Sequence, residues 1–270
     1  MAHAKRQPTF YIPHGGGPCF FIDWTMGPRD TWTKTADWLK SIDASLPERP
    51  KALLVVCAHW ETDAPTVTTS PAPKLVYDYY GFPPHTYELT WPAPGSPELA
   101  GRVRALLDAR GIETKSDDAR GFDHGVFVPL KVAFPDANIP TVQLSLQRRL
   151  DPAEHLAIGR ALAPLRDEGV LIVGSGMSYH NMRGFMTGRG HDDSLRFDAW
   201  LADAITKPPK EREQSLIDWQ RAPSARESHP REEHLIPLMV AAGAAGDDPA
   251  ARVFHDEPMN TAVSAFRFGS

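Results

Sequence analysis

Residues 51–61 decide the fold, and they read Lys51-Ala52-Leu53-Leu54-Val55-Val56-Cys57-Ala58-His59-Trp60-Glu61. An apolar run without polar alternation is typical of a strand buried on both faces, in the middle of a sheet that helices cover. Ligands of open α/β sheets bind beyond the carboxyl ends of such strands. The run therefore predicts a central strand with His59 at the mouth of a binding site.

Histidines recur at the ends of other apolar segments. His14 ends the short run Thr9-Phe10-Tyr11-Ile12-Pro13-His14, which we expect to form the neighbouring strand. His124 stands in a glycine-bracketed turn, and His180 follows a predicted strand over residues 169–174. His234 lies near the start of a predicted helix over residues 230–245. These five of the eleven histidines all stand in turns or helix entries next to apolar elements.

The remaining segments predict one α/β domain over residues 1–270. Ser96 before Pro97 is typical of a helix start, and a helix from Asp151 should run to about Arg166. Pro237 should leave the first turn of the helix that carries His234 bent or locally open, because proline removes a backbone donor. Residues 61–97 are proline-rich and predict a long irregular loop, whose aromatics argue against disorder. We expect a three-layer α/β/α fold with a mostly parallel or mixed central sheet.

Composition excludes several classes of protein. The 270 residues are 41% hydrophobic, which is enough for a sizeable core, and the formal charge of −5 comes without a basic block that could track phosphates. We therefore expect no nucleic-acid partner. The absence of an apolar stretch of membrane-spanning length predicts a protein without a membrane partner, located in the cytoplasm. Two cysteines are too few for a disulfide framework, and Cys57 is expected to pack as a core residue.

The histidine pattern favours a metal site without identifying one. A neutral imidazole is a common ligand of zinc and iron, but a single buried histidine is more often a hydrogen-bonded core group. Neither a His-Glu-x-x-His helix nor a Cys-x-x-Cys pair is present. Nucleotide binding is disfavoured because Pro18, directly after the glycines of residues 15–17, lacks a backbone donor, and because neither glycine-rich phosphate-binding motif is present. A serine hydrolase is disfavoured because residues 174–176 do not form a nucleophile elbow. Aromatics of residues 77–80 are interpreted as a lid over a planar substrate.

The sequence resembles the class III extradiol ring-cleaving dioxygenases, most closely the branch typified by DOPA 4,5-dioxygenase. Eight motifs carry the resemblance in the same order over nearly the whole chain: Pro13-His14-Gly15-Gly16-Gly17-Pro18, Ala58-His59-Trp60, Gly81-Phe82-Pro83, Tyr87 with residues 91–97, Gly121-Phe122-Asp123-His124-Gly125, Val142-Gln143-Leu144-Ser145, Gly174-Ser175-Gly176 with His180-Asn181, and Glu233-His234-Leu235-Ile236-Pro237-Leu238. The resemblance implies a non-haem Fe(II) centre for turnover and ring opening of a catechol-type substrate by O2.

The resemblance also assigns roles to individual residues. His14, His59 and His234 match the metal ligands, His180 matches the catalytic acid/base, and His124 matches a pocket histidine that contacts substrate or oxygen. The wider class uses two histidines and a glutamate, whereas a third histidine stands here, and three neutral ligands would also suit Zn(II).

The walls of the substrate pocket are assigned less directly. The candidate substrate-binding residues are Tyr80, Phe82, Trp60 and Ser178. The particular catechol, the oligomeric state and the ranking of Arg120, Arg183 and Arg267 as partners of the substrate side chain stay open. So do two alternatives on the same fold, a non-enzymatic metal-binding interaction scaffold and a zinc-dependent hydrolase.

Overall fold

The computed structural model describes residues 5–270, and one eight-stranded sheet forms its middle layer. The strands are Thr9–Pro13 (β1), Ala52–Thr62 (β2), Thr66–Thr68 (β3), Lys115–Asp117 (β4), Thr141–Gln147 (β5), Val170–Gly176 (β6), Ala250–Asp256 (β7) and Val263–Phe268 (β8). Their order across the sheet is β4-β3-β5-β2-β6-β1-β8-β7.

The four central strands are parallel, and antiparallel pairs flank them. β5, β2, β6 and β1 run in parallel, while β3 pairs with β5 and β8 pairs with β1 in the antiparallel sense. The prediction of a mostly parallel or mixed sheet is confirmed, and β2 is central. The expectation that β1 neighbours β2 is wrong, because β6 inserts between them and pairs with both.

Helices cover both faces of the sheet. They are Thr33–Ser45 (α1), Pro97–Asp108 (α2), His124–Ala133 (α3), Pro152–Leu162 (α4), Pro164–Asp167 (α5), Met182–Thr187 (α6), His191–Thr206 (α7), Pro209–Ile217 (α8), Ala225–Ser228 (α9) and Ile236–Ala245 (α10). Leu53 and Val55 pack with α1 and α3, whereas Leu54 and Val56 pack with α2, α4 and α10. This alternation along β2 places a hydrophobic core on each face of the sheet, which confirms the three-layer architecture. A single domain over residues 1–270 stays a prediction.

The predicted helix starts are present as side-chain caps. Ser96 Oγ accepts a hydrogen bond of 3.1 Å from the Leu99 amide, and Asp151 Oδ1 accepts one of 2.9 Å from the Glu154 amide. The helix that begins after Asp151 is shorter than predicted, since α4 ends at Leu162 and α5 begins anew at Pro164. Proline cannot continue the hydrogen-bond ladder of the preceding helix.

The long segment between β2 and α2 is more ordered than predicted. It contains β3 and a 3₁₀ helix, Pro84–Glu88. Tyrosine hydroxyls pin the rest: Tyr77 donates to the Leu89 carbonyl at 2.7 Å and Tyr79 to the Thr86 carbonyl at 2.5 Å. The segment therefore holds its own shape through hydrogen bonds between its residues. Within residues 5–270, every helix is too short or too polar to cross a membrane.

Candidate metal and active site

Five histidines meet in one cavity of about 410 Å³ at the carboxyl ends of the parallel strands. His14 follows β1, His59 belongs to β2, and His124 is the first residue of α3. His180 lies in the loop after β6, and His234 lies in the turn before α10. The structure thus brings together all five histidines that the sequence singled out.

His59 leaves the sheet where the strand pairing becomes irregular. β2 continues to Thr62, but its pairing with β6 ends at Cys57, and its register against β5 shifts between Val56 and Glu61. Such irregularities re-aim a side chain relative to the regular pleat. Gly125 makes room for this ring, because a Cβ atom there would lie 2.9 Å from His59 Nδ1.

His234 is positioned by its own backbone rather than by a bent helix. Its carbonyl accepts hydrogen bonds from the Tyr11 hydroxyl at 2.6 Å and from the Met177 amide at 3.1 Å. The helix predicted from residue 230 begins only at Ile236, and the expected bent or locally open turn is a non-helical turn that precedes α10. Pro237 is the second residue of α10, where its missing N–H has no helical partner to lose. Hydrogen bonds from β1 and from the residue after β6 therefore hold His234 in place.

The ring nitrogens of the three predicted ligands converge. His14 Nδ1 contacts the Gly15 carbonyl at 2.8 Å and His234 Nδ1 contacts Glu233 Oε1 at 3.0 Å, so both rings carry their proton on Nδ1. The Nε2 atoms then hold lone pairs: His14 Nε2 is buried with no hydrogen-bond partner among residues 5–270, and His234 Nε2 lies 3.1 Å from His59 Nε2. The unpartnered Nε2 of His14, beside the closely spaced Nε2 atoms of His59 and His234, is an arrangement that a metal ion satisfies, so these residues fit one.

Burial keeps two of these rings in the form that binds metal. Desolvation lowers the pKa of both His14 and His234 well below that of a free imidazole, and the neighbouring histidines lower each further. Both rings are therefore neutral at neutral pH, as a ligand must be.

The ligand atoms form two adjacent sets. The ring nitrogens of His14, His59 and His124 lie within 4.8 Å of one another, and so do ligand atoms of His180, Glu233 and His234. The 3.1 Å approach of His59 to His234 joins the two sets. The cluster can hold a metal ion, and the three predicted ligands form the junction between its two halves.

Asp123 supports His59 from beneath, a role that sequence reasoning missed. Its carboxylate is fully buried and accepts hydrogen bonds from Arg120 at 2.8 Å, from Gln143 at 2.6 Å and from Cys57 Sγ at 3.1 Å. Burial alone would raise the pKa of Asp123, but the His59 imidazole, whose Nδ1 lies 3.8 Å from Oδ1, and the hydrogen bonds from Gln143 and Cys57 hold it well below its usual range. A buried anion therefore faces the back of His59.

The packing predicted for Cys57 is correct, but it omits one contact. The side chain is fully buried, and burial with the charge of Asp123 raises its pKa well above that of a free thiol. The thiol is therefore protonated and donates to Asp123. The sequence signal for the role of Asp123 was its position directly before His124, in a glycine-bracketed turn.

His124 and His180 each contact a carboxylate. His124 Nδ1 contacts Asp78 Oδ1 at 2.8 Å, and burial lowers the pKa of His124 although Asp78 opposes this. The His180 ring stacks on His234 at a centroid distance of 3.4 Å, with its Nδ1 3.4 Å from Glu233 Oε1. Burial alone would raise the pKa of Glu233, but His180 and its other partners lower it. Both carboxylates are thus ionised partners that orient a ring.

The predicted substrate-binding residues divide into two pairs. Tyr80 and Phe82 line the cavity. Trp60 and Ser178 are not among its lining residues: the Trp60 ring lies under Arg120, and Ser178 Oγ accepts a hydrogen bond of 2.7 Å from the Ser264 amide. Successive residues of a strand point to opposite faces, so the neighbour of His59 points away from it.

None of the three arginines considered for the substrate side chain lines the cavity. Arg120 pairs with Asp123, Arg267 donates to the Ser45 carbonyl at 3.1 Å, and Arg183 is exposed on α6. Sequence reasoning also missed two tryptophans that do line it, Trp24 and Trp32.

Residues 8–266 match the family described as the catalytic LigB subunit of aromatic ring-opening dioxygenase. The chain belongs to this family. The family and the relatives named below identify it as an extradiol ring-opening dioxygenase. It is 41% identical over 255 residues to the 4,5-DOPA dioxygenase extradiol of Beta vulgaris, covering 93% of this chain and 91% of that protein. It is 38% identical over 280 residues to the dioxygenase tasH of Hapsidospora irregularis, covering 97% and 85% of the two chains.

A solved structure shares the fold. An uncharacterized protein from Escherichia coli K12 superposes with a TM-score of 0.77 at 30% identity, over 98% of this chain and 100% of the other. These similarities confirm the family resemblance and support an enzyme over a non-enzymatic scaffold.

Proposed function

We propose that this protein opens the aromatic ring of a catechol-type substrate with O2, using a metal ion held by His14, His59 and His234. The observation that carries the proposal is that the three rings, from three chain segments, have centroids 4.7 to 5.1 Å apart, with the Nε2 atoms of His59 and His234 3.1 Å from each other. Fe(II) is the metal expected for turnover, and Zn(II) could take the same ligands. When bound, the metal ion supplies Lewis acidity toward the substrate hydroxyls and redox chemistry toward O2.

His180 acts as the acid/base in this proposal. Stacking on His234 holds the ring beside the ligands, and the contact of Nδ1 with Glu233 leaves Nε2 free to take a proton. The imidazole would accept the proton of a substrate hydroxyl and return it when the ring opens. Glu233 stabilises the protonated form in between, since it is an ionised neighbour.

Asp78 sets the tautomer of His124, that is, which ring nitrogen carries the proton. With Nδ1–H donated to Asp78, the neutral ring presents Nε2 as an acceptor toward the cavity. It can therefore accept from a substrate hydroxyl at once, and it donates to charge developing on oxygen only after taking up that proton.

The supporting experiment is oxygen uptake by protein purified without oxygen and loaded with Fe(II). A panel of catechols should give O2 consumption with a yellow ring-opened product, and Zn(II)-loaded protein should give neither. No uptake by folded, Fe(II)-loaded protein with any catechol would overturn the proposal. The cytoplasmic location stays a prediction.

A further inference from the structure

Methionine is concentrated around the cavity. Five of the seven methionines line it, namely Met26, Met177, Met182, Met186 and Met259. Three of these five are also widely exposed to solvent: Met26 at 48%, Met182 at 58% and Met186 at 64%. Exposed large apolar side chains gathered at one opening mark a binding surface rather than a random surface.

Helix α6 presents one apolar face to the opening. Met182, Phe185 and Met186 stand three and four residues apart, so they lie on the same side of the helix and line the cavity together. Arg183 is exposed and is not among the lining residues. Tyr80, which is 89% exposed, also lines the cavity. The opening is thus bounded by thioethers and aromatic rings.

Charged partners for a substrate side chain are missing from this opening. Among residues 5–270, no lysine or arginine lines the cavity. Asp78 is the single carboxylate in the lining, and it is engaged by the ring and the backbone amide of His124 at 2.8 and 2.9 Å. A carboxylate or ammonium group at this opening would find no lysine or arginine and no second carboxylate as a partner, whereas an apolar group would cover exposed apolar side chains.

Flexible thioethers suit an apolar substituent of variable shape. Methionine has three rotatable bonds and a polarizable sulfur, so it fills irregular gaps and contacts aromatic rings favourably. Burial of each methylene of a substituent would tighten binding by up to about a factor of 4, from about 0.8 kcal/mol.

We propose that this site selects catechols that carry an extended apolar substituent over catechols that carry a charged amino-acid side chain. The inference rests on the proposed function, because the substrate is taken to be a catechol.

Binding can be measured apart from turnover in the absence of O2. Trp24 and Trp32 line the cavity, so quenching of tryptophan fluorescence in Fe(II)-loaded protein reports occupancy. Catechol, 4-methylcatechol, 4-ethylcatechol, 4-butylcatechol and 3,4-dihydroxyphenylalanine form the series. We expect the Kd to fall with chain length, by about 10-fold or more from catechol to 4-butylcatechol. A Kd for dihydroxyphenylalanine at or below that of 4-butylcatechol would overturn the inference.

Substitutions at the opening give a second test. Met182→Lys with Met186→Lys should lower the Kd ratio of dihydroxyphenylalanine to 4-butylcatechol at least 5-fold, while Met182→Gln with Met186→Gln should raise both Kd values without reversing the order. Val253→Lys, on the edge strand β7 and outside the cavity lining, is the matched control and should change neither. An unchanged ratio in folded lysine variants would count against the inference.

The same series separates the two proposals. Ring opening of every catechol with no preference for alkyl chains leaves the dioxygenase proposal standing and removes this one. If the Kd depends on chain length but no catechol causes O2 consumption in air, the substrate preference stands and the dioxygenase proposal falls.

Discussion

Buried histidines in two regions of the molecule use their ring nitrogens in opposite ways. His155, in the first turn of α4, is fully buried, and both of its ring nitrogens bond the backbone. Nδ1 contacts the Asp151 carbonyl at 2.7 Å, and Nε2 accepts from the Gln147 amide at 3.1 Å. His14 and His234, at the cavity, are almost as buried. Each uses only Nδ1 for the protein, and their Nε2 atoms face other imidazoles or no hydrogen-bond partner among the described residues.

Burial therefore does not distinguish a structural histidine from a ligand. Desolvation lowers the pKa of His155 to about 4 just as it lowers those of the cavity pair. The difference lies in the second nitrogen, which is satisfied by the backbone in one region and directed at an open space in the other.

Removing a cavity histidine should have the largest effect. His234→Ala is expected to abolish oxygen uptake and to weaken metal binding by more than the ~100-fold that loss of a supporting residue causes. His155→Gln should retain the metal and turnover at pH 7, because its ring serves only the fold. Metal content after anaerobic loading and steady-state oxygen uptake measure both. Equal metal loss in the two variants, with both folded by circular dichroism, would break the distinction.

His180 should separate binding from chemistry within the cavity. Because it contacts Glu233 and stacks on His234 without being one of the three proposed ligands, His180→Ala should keep the metal and lower kcat by about 10²- to 10⁴-fold. Metal analysis together with oxygen-uptake kinetics at saturating catechol would measure this. Loss of metal in step with activity would reassign His180 to the ligands.

The structural histidine should be visible in acid. Its pKa of about 4 in the folded protein lies below the 6.5 of a free imidazole, so between these values the unfolded chain binds the proton and the folded chain does not. The contribution of His155 to the free energy of unfolding should therefore be constant above pH 6.5 and should fall by about 3 kcal/mol as the pH drops to 4. Urea unfolding at pH 7 and pH 5 should show a shallower fall for His155→Gln than for the parent protein. Identical slopes would mean that His155 does not contribute.

The smallest effect should come from the carboxylate behind His59. Asp123→Asn keeps the shape but removes the buried charge that faces His59 Nδ1, and it should weaken metal binding about 10- to 100-fold. Competition with a chelator gives the metal Kd, and Asp37→Asn, at an exposed position of α1, is the control outside the site. An unchanged Kd in folded Asp123→Asn protein would show that the charge does not tune the ligand.

Local patterns in the sequence were sufficient for much of the fold. The unbroken apolar run of β2 fixes a strand covered on both faces, and Ser96 and Asp151 mark helix starts through hydrogen bonds that span three residues. The insertion of β6 between β1 and β2 depends on pairing between distant segments, which periodicity does not encode.

The candidate site divides in the same way. Its five histidines were found because each stands next to an apolar segment of the sequence, where a strand or helix was predicted. Asp123 and Glu233 were missed as supporting residues because their roles depend on which ring folds against them. Trp60 was placed in the substrate pocket on sequence adjacency, although the alternation of β2 turns it away from His59.

The meeting of His59 Nε2 and His234 Nε2 joins residues 175 positions apart. An unfolded chain does not hold these nitrogens together, so a metal ion bound there binds the folded state alone. Occupancy then becomes a source of stability: free metal at 100 times its Kd adds about 2.7 kcal/mol to the free energy of unfolding. Resistance of the chain to heat should consequently rise with metal concentration.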